Sequence, residues 1–345
     1  MNGGIARTLR FARRELGRLL GIFLLGSVLV FLAVQAMPED PIALRVKNPD
    51  PVRVAAIRAD LGLDDPLLQQ YGRYLVDFAR GDWGASLVSG RPTLAEVGRA
   101  LPATLELGLV ALVVGTAGGI TLVLVSEALG WPGLRRLSRA LGAVGLTLPI
   151  YWIGMLLTAA FAVQLGWLPV SGRFDFRAIA PEGTGFLLLD ALLARDGEAW
   201  AIAARHMVLP VATLALYPAA LVAGTLEARL GDPRVEQLLV ALRARGFGPV
   251  RIWGGHVLRL CGAPLVTVIG TNVGALMGGA VLTETVFSWP GMGRLLVEGV
   301  INRDVFLIQH GLLLVVVLAA VAATLADFAA HELDPAQRRR GGEAR

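Results

Sequence analysis

The chain of 345 residues contains one cysteine, Cys261, and one lysine, Lys47. A single thiol allows no intrachain disulfide and no cysteine-built zinc or iron–sulfur centre. The lysine lies in RVKNPD rather than after a glycine-rich turn, so the phosphate loop of nucleotide hydrolases, GxxxxGK(S/T), is absent. His206, His256, His310 and His331 are the only histidines, and their scatter reads as packing or interface use rather than metal ligation. No HExxH, GxSxG or paired-carboxylate pattern stands out, and charged residues make up only 17% of the chain. The expectation is a protein that is not an enzyme and holds no cofactor of its own.

What is abundant is apolar sequence. Hydrophobic residues make up 55% of the chain and the mean hydropathy is +0.62, values that point to a polytopic membrane protein. The formal charge of +5 does not indicate nucleic acid, because the arginines sit in short clusters beside apolar runs with no interleaved aromatic platform. Six runs, near residues 19–36, 101–125, 140–163, 207–226, 262–283 and 305–328, are long enough to cross a hydrocarbon core of about 30 Å as helices. Their central parts lack Asp, Glu, Lys and Arg, which argues against a hydrated proton path.

Orientation follows from the flanks. Arg7, Arg10, Arg13, Arg14 and Arg18 precede the first run, Arg135, Arg136 and Arg139 separate the second from the third, and Arg338, Arg339 and Arg340 follow the last. These clusters, with the one described next, fall on the cytoplasmic side if there are six crossings and both termini are cytoplasmic. The first run, longer than a usual signal-peptide core, reads as an uncleaved anchor; cleavage after Ala36 is the alternative.

The fourth cluster is a polar island, residues 227–264, carrying Arg229, Arg234, Arg243, Arg245, Arg251 and Arg259. Val235, Leu238, Leu239 and Leu242 recur at helical spacing, Gly246 and Gly248-Pro249 break the pattern, and a second apolar-basic segment starts at Val250. A short amphipathic helix, a glycine corner and a second helix would make a knob for another protein to grip.

On the opposite side lie two polar stretches, roughly 38–99 and 164–204. In the first, Asp50-Pro51 and Asp65-Pro66 read as helix caps followed by proline at the first helical position, and GDWGAS (81–86) breaks the chain. The second carries Asp175, Glu182, Asp190, Asp196 and Glu198, and most residues of both stretches read as solvated loop packing. Within the runs, Gly270, Gly274 and Gly278 share one helix face, as do Gly115 and Gly119. Tight packing inside the chain and a subunit or pathway lining are both open for these faces. Asn272 and Tyr217 are polar residues within spans and are candidates to face a pathway. Pro149, Pro210 and Pro218 are positioned to bend the third and fourth spans.

Several stretches together resemble a known family. They are LGLDDPLLQQYGRYL (61–75), GDWGASLVSGRP (81–92), LPATLELG (101–108), LPVSGR (168–173), TGFLLLD (184–190), HMVLP (206–210), PLVTVIG (264–270) and LTETVFSWPGMGRLL (282–296). In this order they resemble the inner-membrane permease subunits of dipeptide/oligopeptide-type ATP-binding-cassette (ABC) importers. The resemblance implies an all-α membrane protein with the type I ABC importer permease fold: six transmembrane helices and a helical external insertion between the first two. It divides the chain into an N-terminal region (1–100), a permease core (101–331) and a cytoplasmic basic tail (332–345).

It also implies a bacterial inner-membrane location and a set of partners. These are a second homologous permease, two ABC ATPase subunits that bind ATP and magnesium, a periplasmic or lipid-anchored solute-binding protein, and membrane lipids. By the same resemblance, Glu236, Arg243, Ala244, Arg245 and Gly246, with His256 and Arg259 further along, would contact the ATPase. Trp289, Pro290 and Gly291 would form a turn near the external opening. The chain departs from the family at Leu238, Val240, Ala241 and Leu242, where a Tyr-Arg-Thr-Ala run is usual, at Leu260, where asparagine is usual, and at PEDP (38–41). These changes make the knob more apolar, which points to a dedicated ATPase or to weakened coupling. A secondary transporter or channel not driven by ATP is the alternative from another class, and a membrane scaffold is a third.

Overall fold

The computed structural model describes residues 2–37, 51–60 and 62–333; side-chain statements exclude a few of these. PEDP, Asp50, Lys47 and the Arg338–Arg340 tail lie outside the described residues. The described chain is helical, with no strand beyond an isolated bridge between Ala85 and Pro92. In order the helices are α1 Asn2–Gln35, α2 Pro51–Asp60, α3 Leu67–Arg80, α4 Thr93–Leu129, α5 Pro132–Thr147, α6 Ile150–Leu157, α7 Leu187–Leu193, α8 Gly197–Leu230, α9 Pro233–Ala244, α10 Leu258–Val286, α11 Met292–Ile301 and α12 Val305–Leu333. Two π-helical turns, Thr158–Gln164 and Arg251–Val257, continue α6 and precede α10.

Among the described residues four stretches are long and apolar enough to cross a membrane: Arg13–Gln35, Thr93–Leu129, Gly197–Leu230 and Val305–Leu325. Two bent pairs raise the count to six if each is one span: Pro132–Thr147 with Ile150–Gln164, bent by 117°, and Arg251–Gly262 with Pro264–Gly274, bent by 64°. The run expected at 140–163 is thus not one straight helix. Leu148 and Pro149 both take extended dihedrals, because the proline ring disfavours helical geometry in the residue before it.

The chain forms two compact units: Met1–Pro102 with Gly291–Val321, and Ala103–Pro290 with Ala322–Arg345. In the first, Trp83, Val97, Ala100, Met292, Leu296 and Leu307 share one core, and Phe31, Tyr74 and Leu313 another. Phe78, Trp83 and His310 stack face to face, and the Tyr74 hydroxyl donates to the Gln309 carbonyl. The GDWGAS break builds this unit. Gly81 ends α3 in the left-handed conformation, Trp83 is buried, and the Ser86 hydroxyl donates to Asp304. Asp304, wholly buried, in turn accepts from Val88 N and from Leu307 N in the first turn of α12. The cap expected at Asp65 differs: Pro66 occupies the N-cap of α3 and Asp65 pairs instead with Arg73.

The second unit is organised around α8, 61% of whose most apolar window is buried, against 22% for those of α1 and α4. It packs on α5, α6, α7 and α10. Small residues permit that approach. A Cβ on Gly115 would lie 2.4 Å from the Ala215 carbonyl oxygen, one on Gly119 2.6 Å from that of Ala219, and one on Gly145 2.7 Å from that of Leu216. For Gly115 and Gly119 the question left open by the sequence is answered as packing within the chain.

Candidate functional site

The polar island folds as its pattern requires. Asp232 caps α9 by accepting from Arg234 N, and Pro233 occupies the first helical position. Val235, Leu239 and Leu242 are buried, whereas Leu238, grouped with them by spacing, is exposed. The buried three join one cluster with Val222, Ala223 and Leu226 of α8, Ile252, Trp253 and Val257 of the π turn, and Cys261 and Leu265 of α10. The helix ends in a doubly bonded reversal: Gly246 N donates to Arg243 O at 2.9 Å and Phe247 N to Leu242 O at 3.2 Å. Gly246 sits at φ +76°, a conformation that glycine adopts without the Cβ penalty. Beyond it the Phe247 ring meets His256 edge-on and lies 4.7 Å below the Arg251 guanidinium carbon.

Every residue singled out in this corner faces outward: Glu236, Arg243, Ala244, Arg245, Gly246, His256 and Arg259 are all exposed. They therefore share a surface whose underside is a packed core. Three arginines and one glutamate make that surface basic, and exposed Leu238, Val240, Val250 and Leu260 add apolar area to it.

The residues singled out from sequence for helix packing or a pathway differ in their surroundings. Gly270 is buried and Tyr217 half-buried. Asn272 is buried, and its amide nitrogen donates to the Val268 carbonyl at 2.9 Å while its Oδ1 has no partner among the described residues. Among the described residues a Cβ on Gly274 or Gly278 would meet nothing within 4 Å, unlike one on Gly115 or Gly119.

The opposite end of the second unit holds a polar network that sequence reading missed. Glu106, six residues into a run read as apolar, is 5% exposed. Its carboxylate accepts from Arg173 Nη2 at 2.5 Å, Leu188 N at 2.7 Å and Leu187 N at 3.2 Å. Arg173 also donates to the Gly185 carbonyl and stands 5.8 Å from the centre of the Trp289 ring. The Trp289 indole donates to Ala103 O at 3.0 Å, and Thr104 donates to the wholly buried Glu284. Trp289 is thus fully buried inside its turn. Pro290 is exposed and Gly291 is buried at the N-cap of α11.

The stretch 164–204 is exposed or half-buried at most of its positions, as expected of a solvated loop, but two of its acids are structural. Asp190 is buried and accepts from Thr184 N, Thr184 Oγ1 and Gly185 N. Burial opposes its charge, but the hydrogen bonds from Thr184 and Gly185 and the nearby Arg173 prevail and hold its carboxyl below the usual carboxylate value. The stabilisation it provides is therefore full above the ordinary carboxylate pKa and is lost as the pH falls through the lowered one. Asp196 is also structural, accepting from Ala199 N as the N-cap of α8. The signals available in the sequence were a lone glutamate in an apolar run and a lone arginine in LPVSGR; a charge at such depth is retained when it has a partner.

Comparison with known proteins agrees with this anatomy. Residues 132–339 match the family described as binding-protein-dependent transport system inner membrane component, and residues 8–107 match the N-terminal component of the same membrane proteins. The di/tripeptide transport system permease protein DppB of Pseudomonas aeruginosa is 37% identical over 92% of this chain and 96% of its own length. The dipeptide transport system permease protein DppB of Escherichia coli is 34% identical over 95% and 98%. The glutathione transport system permease protein GsiC of Pectobacterium atrosepticum is 33% identical over 95% and 98%. The chain belongs to the binding-protein-dependent transport system inner membrane component family: it is a multi-pass inner-membrane permease subunit of the type I ABC importer fold, working with ATPase and solute-binding components.

Proposed function

We propose that this chain is one of two homologous permease halves of an ATP-driven importer of short peptides, with the corner at 232–259 facing the cytoplasm and both termini on that side. Two ATPase subunits dock beneath and bind the ATP and magnesium. A periplasmic or lipid-anchored binding protein delivers solute to the face that carries the Glu106 network and the 288–291 turn. The substrate class rests on the di/tripeptide, dipeptide and glutathione permeases to which the chain is similar.

The observation that carries the reading is the Gly246 corner. Its outward residues are exposed, while its underside is packed on α8 and α10 through Val235, Leu239, Leu242 and Trp253. A push on a close-packed knob moves the helices that hold it, because such interiors do not absorb displacement. Closure of an ATPase dimer against Arg243, Arg245 and Glu236 would thereby tilt α8 and α10 together.

Replacing Gly246 with valine tests this. A β-branched residue at φ +76° costs about 1–2 kcal/mol and distorts the reversal. Gly246→Asn, which tolerates that conformation better, is the control. In the reconstituted complex the valine variant should hydrolyse ATP with little uptake, and the asparagine variant should keep most of the coupling. Unchanged coupling in the valine variant would exclude the corner as the contact.

A further inference from the structure

Helix α7, LLLDALL, is built inside out for a helix in water. Its only charged residue, Asp190, is 4% exposed, while Leu189, Leu192 and Leu193 are 42%, 65% and 67% exposed. The inward turn of Asp190 is enforced: it accepts three hydrogen bonds from Thr184 and Gly185, and Glu106 accepts from the first amides of the helix. The helix cannot roll to hide its leucines without breaking these bonds. Its other side packs on α8.

The level of α7 is also fixed. The chain leaves one bent pair at Gln164 and enters the apolar helix α8 at Gly197. Only residues 194–196 separate α7 from α8, a reach of about 14 Å at full stretch. Here it is shorter, because Asp196 N donates back to Ala191 O and Arg195 takes a left-handed turn. Trp167, just past the first of these ends, and Trp200, in the first turn of α8, are 60% and 46% exposed. Exposed tryptophans at span ends mark the membrane–water boundary.

We propose that α7 lies flat in the outer membrane interface, its three leucines among the acyl chains and Trp167 and Trp200 at headgroup level. The occupant of this face is lipid, since the leucines stand exposed on a helix packed against the apolar helix α8, within a few residues of the end that Trp200 marks. The Glu106–Arg173 pair then clamps a lipid-anchored helix to α4. That the leaflet is the outer one rests on the orientation proposed above; the lipid contact does not.

The test places single cysteines at Leu192 and Leu193, and at exposed Glu182 as reference, in the full transport complex held in lipid nanodiscs. Cys261 is fully buried, and the unsubstituted complex serves as the labelling blank. Each cysteine carries an environment-sensitive fluorophore. A nitroxide near the top of the lipid acyl chain should quench at least half the emission at both leucine positions and little at position 182, with iodide in water doing the reverse. Strong iodide quenching at 192 and 193 would overturn the proposal in favour of a hydrated face. Shielding from both quenchers would overturn it in favour of a protein cover. None of these readouts depends on transport, so a failure of the peptide-import reading leaves the result interpretable.

Discussion

Glu106 shows what a single residue contributes to this protein. A carboxylate 5% exposed would be costly alone, but it meets a guanidinium and two helix-start amides, so its lone pairs are satisfied. The pair does more for register than for net stability, since it fixes the 173–188 stretch against α4. Two outcomes follow. Glu106→Ala leaves Arg173 buried without its carboxylate and should lower the stability of the purified permease by about 3–5 kcal/mol. The double variant Glu106→Leu with Arg173→Met should lose clearly less than the sum of the two single changes, because neither charge is stranded. A double-mutant cycle read by thermal unfolding checks both, and strict additivity would mean that the pair does not act as a unit. This pairing was not legible in the sequence. The partners stand 67 residues apart, and nothing local to LPATLELG or LPVSGR announces the other.

At the scale of elements the sequence was far more legible, for an identifiable reason. Helices α1, α4, α8 and α12 announce themselves because a span must supply about 20 apolar residues in a row. The corner at 232–259 was legible because caps, proline at the first position and a terminal glycine have local chemistry. Within the stretch 164–204, read as mostly solvated loop, the short helix α7 went unread because it hides its one charge, the reverse of the rule that amphipathic reading assumes. Glycine faces were ambiguous for a different reason: spacing shows a smooth face but not what lies against it. Gly115 and Gly274 resolve into opposite cases. Gly115→Ala drives a methyl into the backbone of α8 and should destabilise the isolated permease by about 1–3 kcal/mol. Gly274→Ala meets open space there and should be neutral or gain up to about 1 kcal/mol of helix propensity. Comparing the melting temperatures of the two variants in detergent separates them, and equal losses would show that α10 is more tightly packed than its surroundings indicate.

For the whole molecule the question is where the work of transport enters. In the reading proposed above force arrives through a surface, and the corner at 232–259 presents one that is basic and backed by a core. Leu238, Val240 and Leu260 stand exposed on that surface, at positions where the resemblance read from the sequence implies polar groups. Exposed apolar side chains of this kind gain about 25 cal/mol for each Å² removed from water, so a matching hydrophobic groove on the cognate ATPase would hold the corner firmly. A polar groove would leave its own hydrogen-bonding groups facing leucine and valine without partners. The cognate ATPase subunits and those of a dipeptide system with the usual polar motif should therefore differ when exchanged under this permease in vesicles. Uptake per ATP should fall by roughly tenfold with the foreign subunits, which corresponds to about 1.4 kcal/mol of lost interaction. Restoring polarity by Leu238→Tyr with Val240→Arg should recover uptake with the foreign subunits and reduce it with the cognate ones. That crossover distinguishes a dedicated groove from weak coupling, because a weakly coupled permease would gain or lose with both ATPases alike.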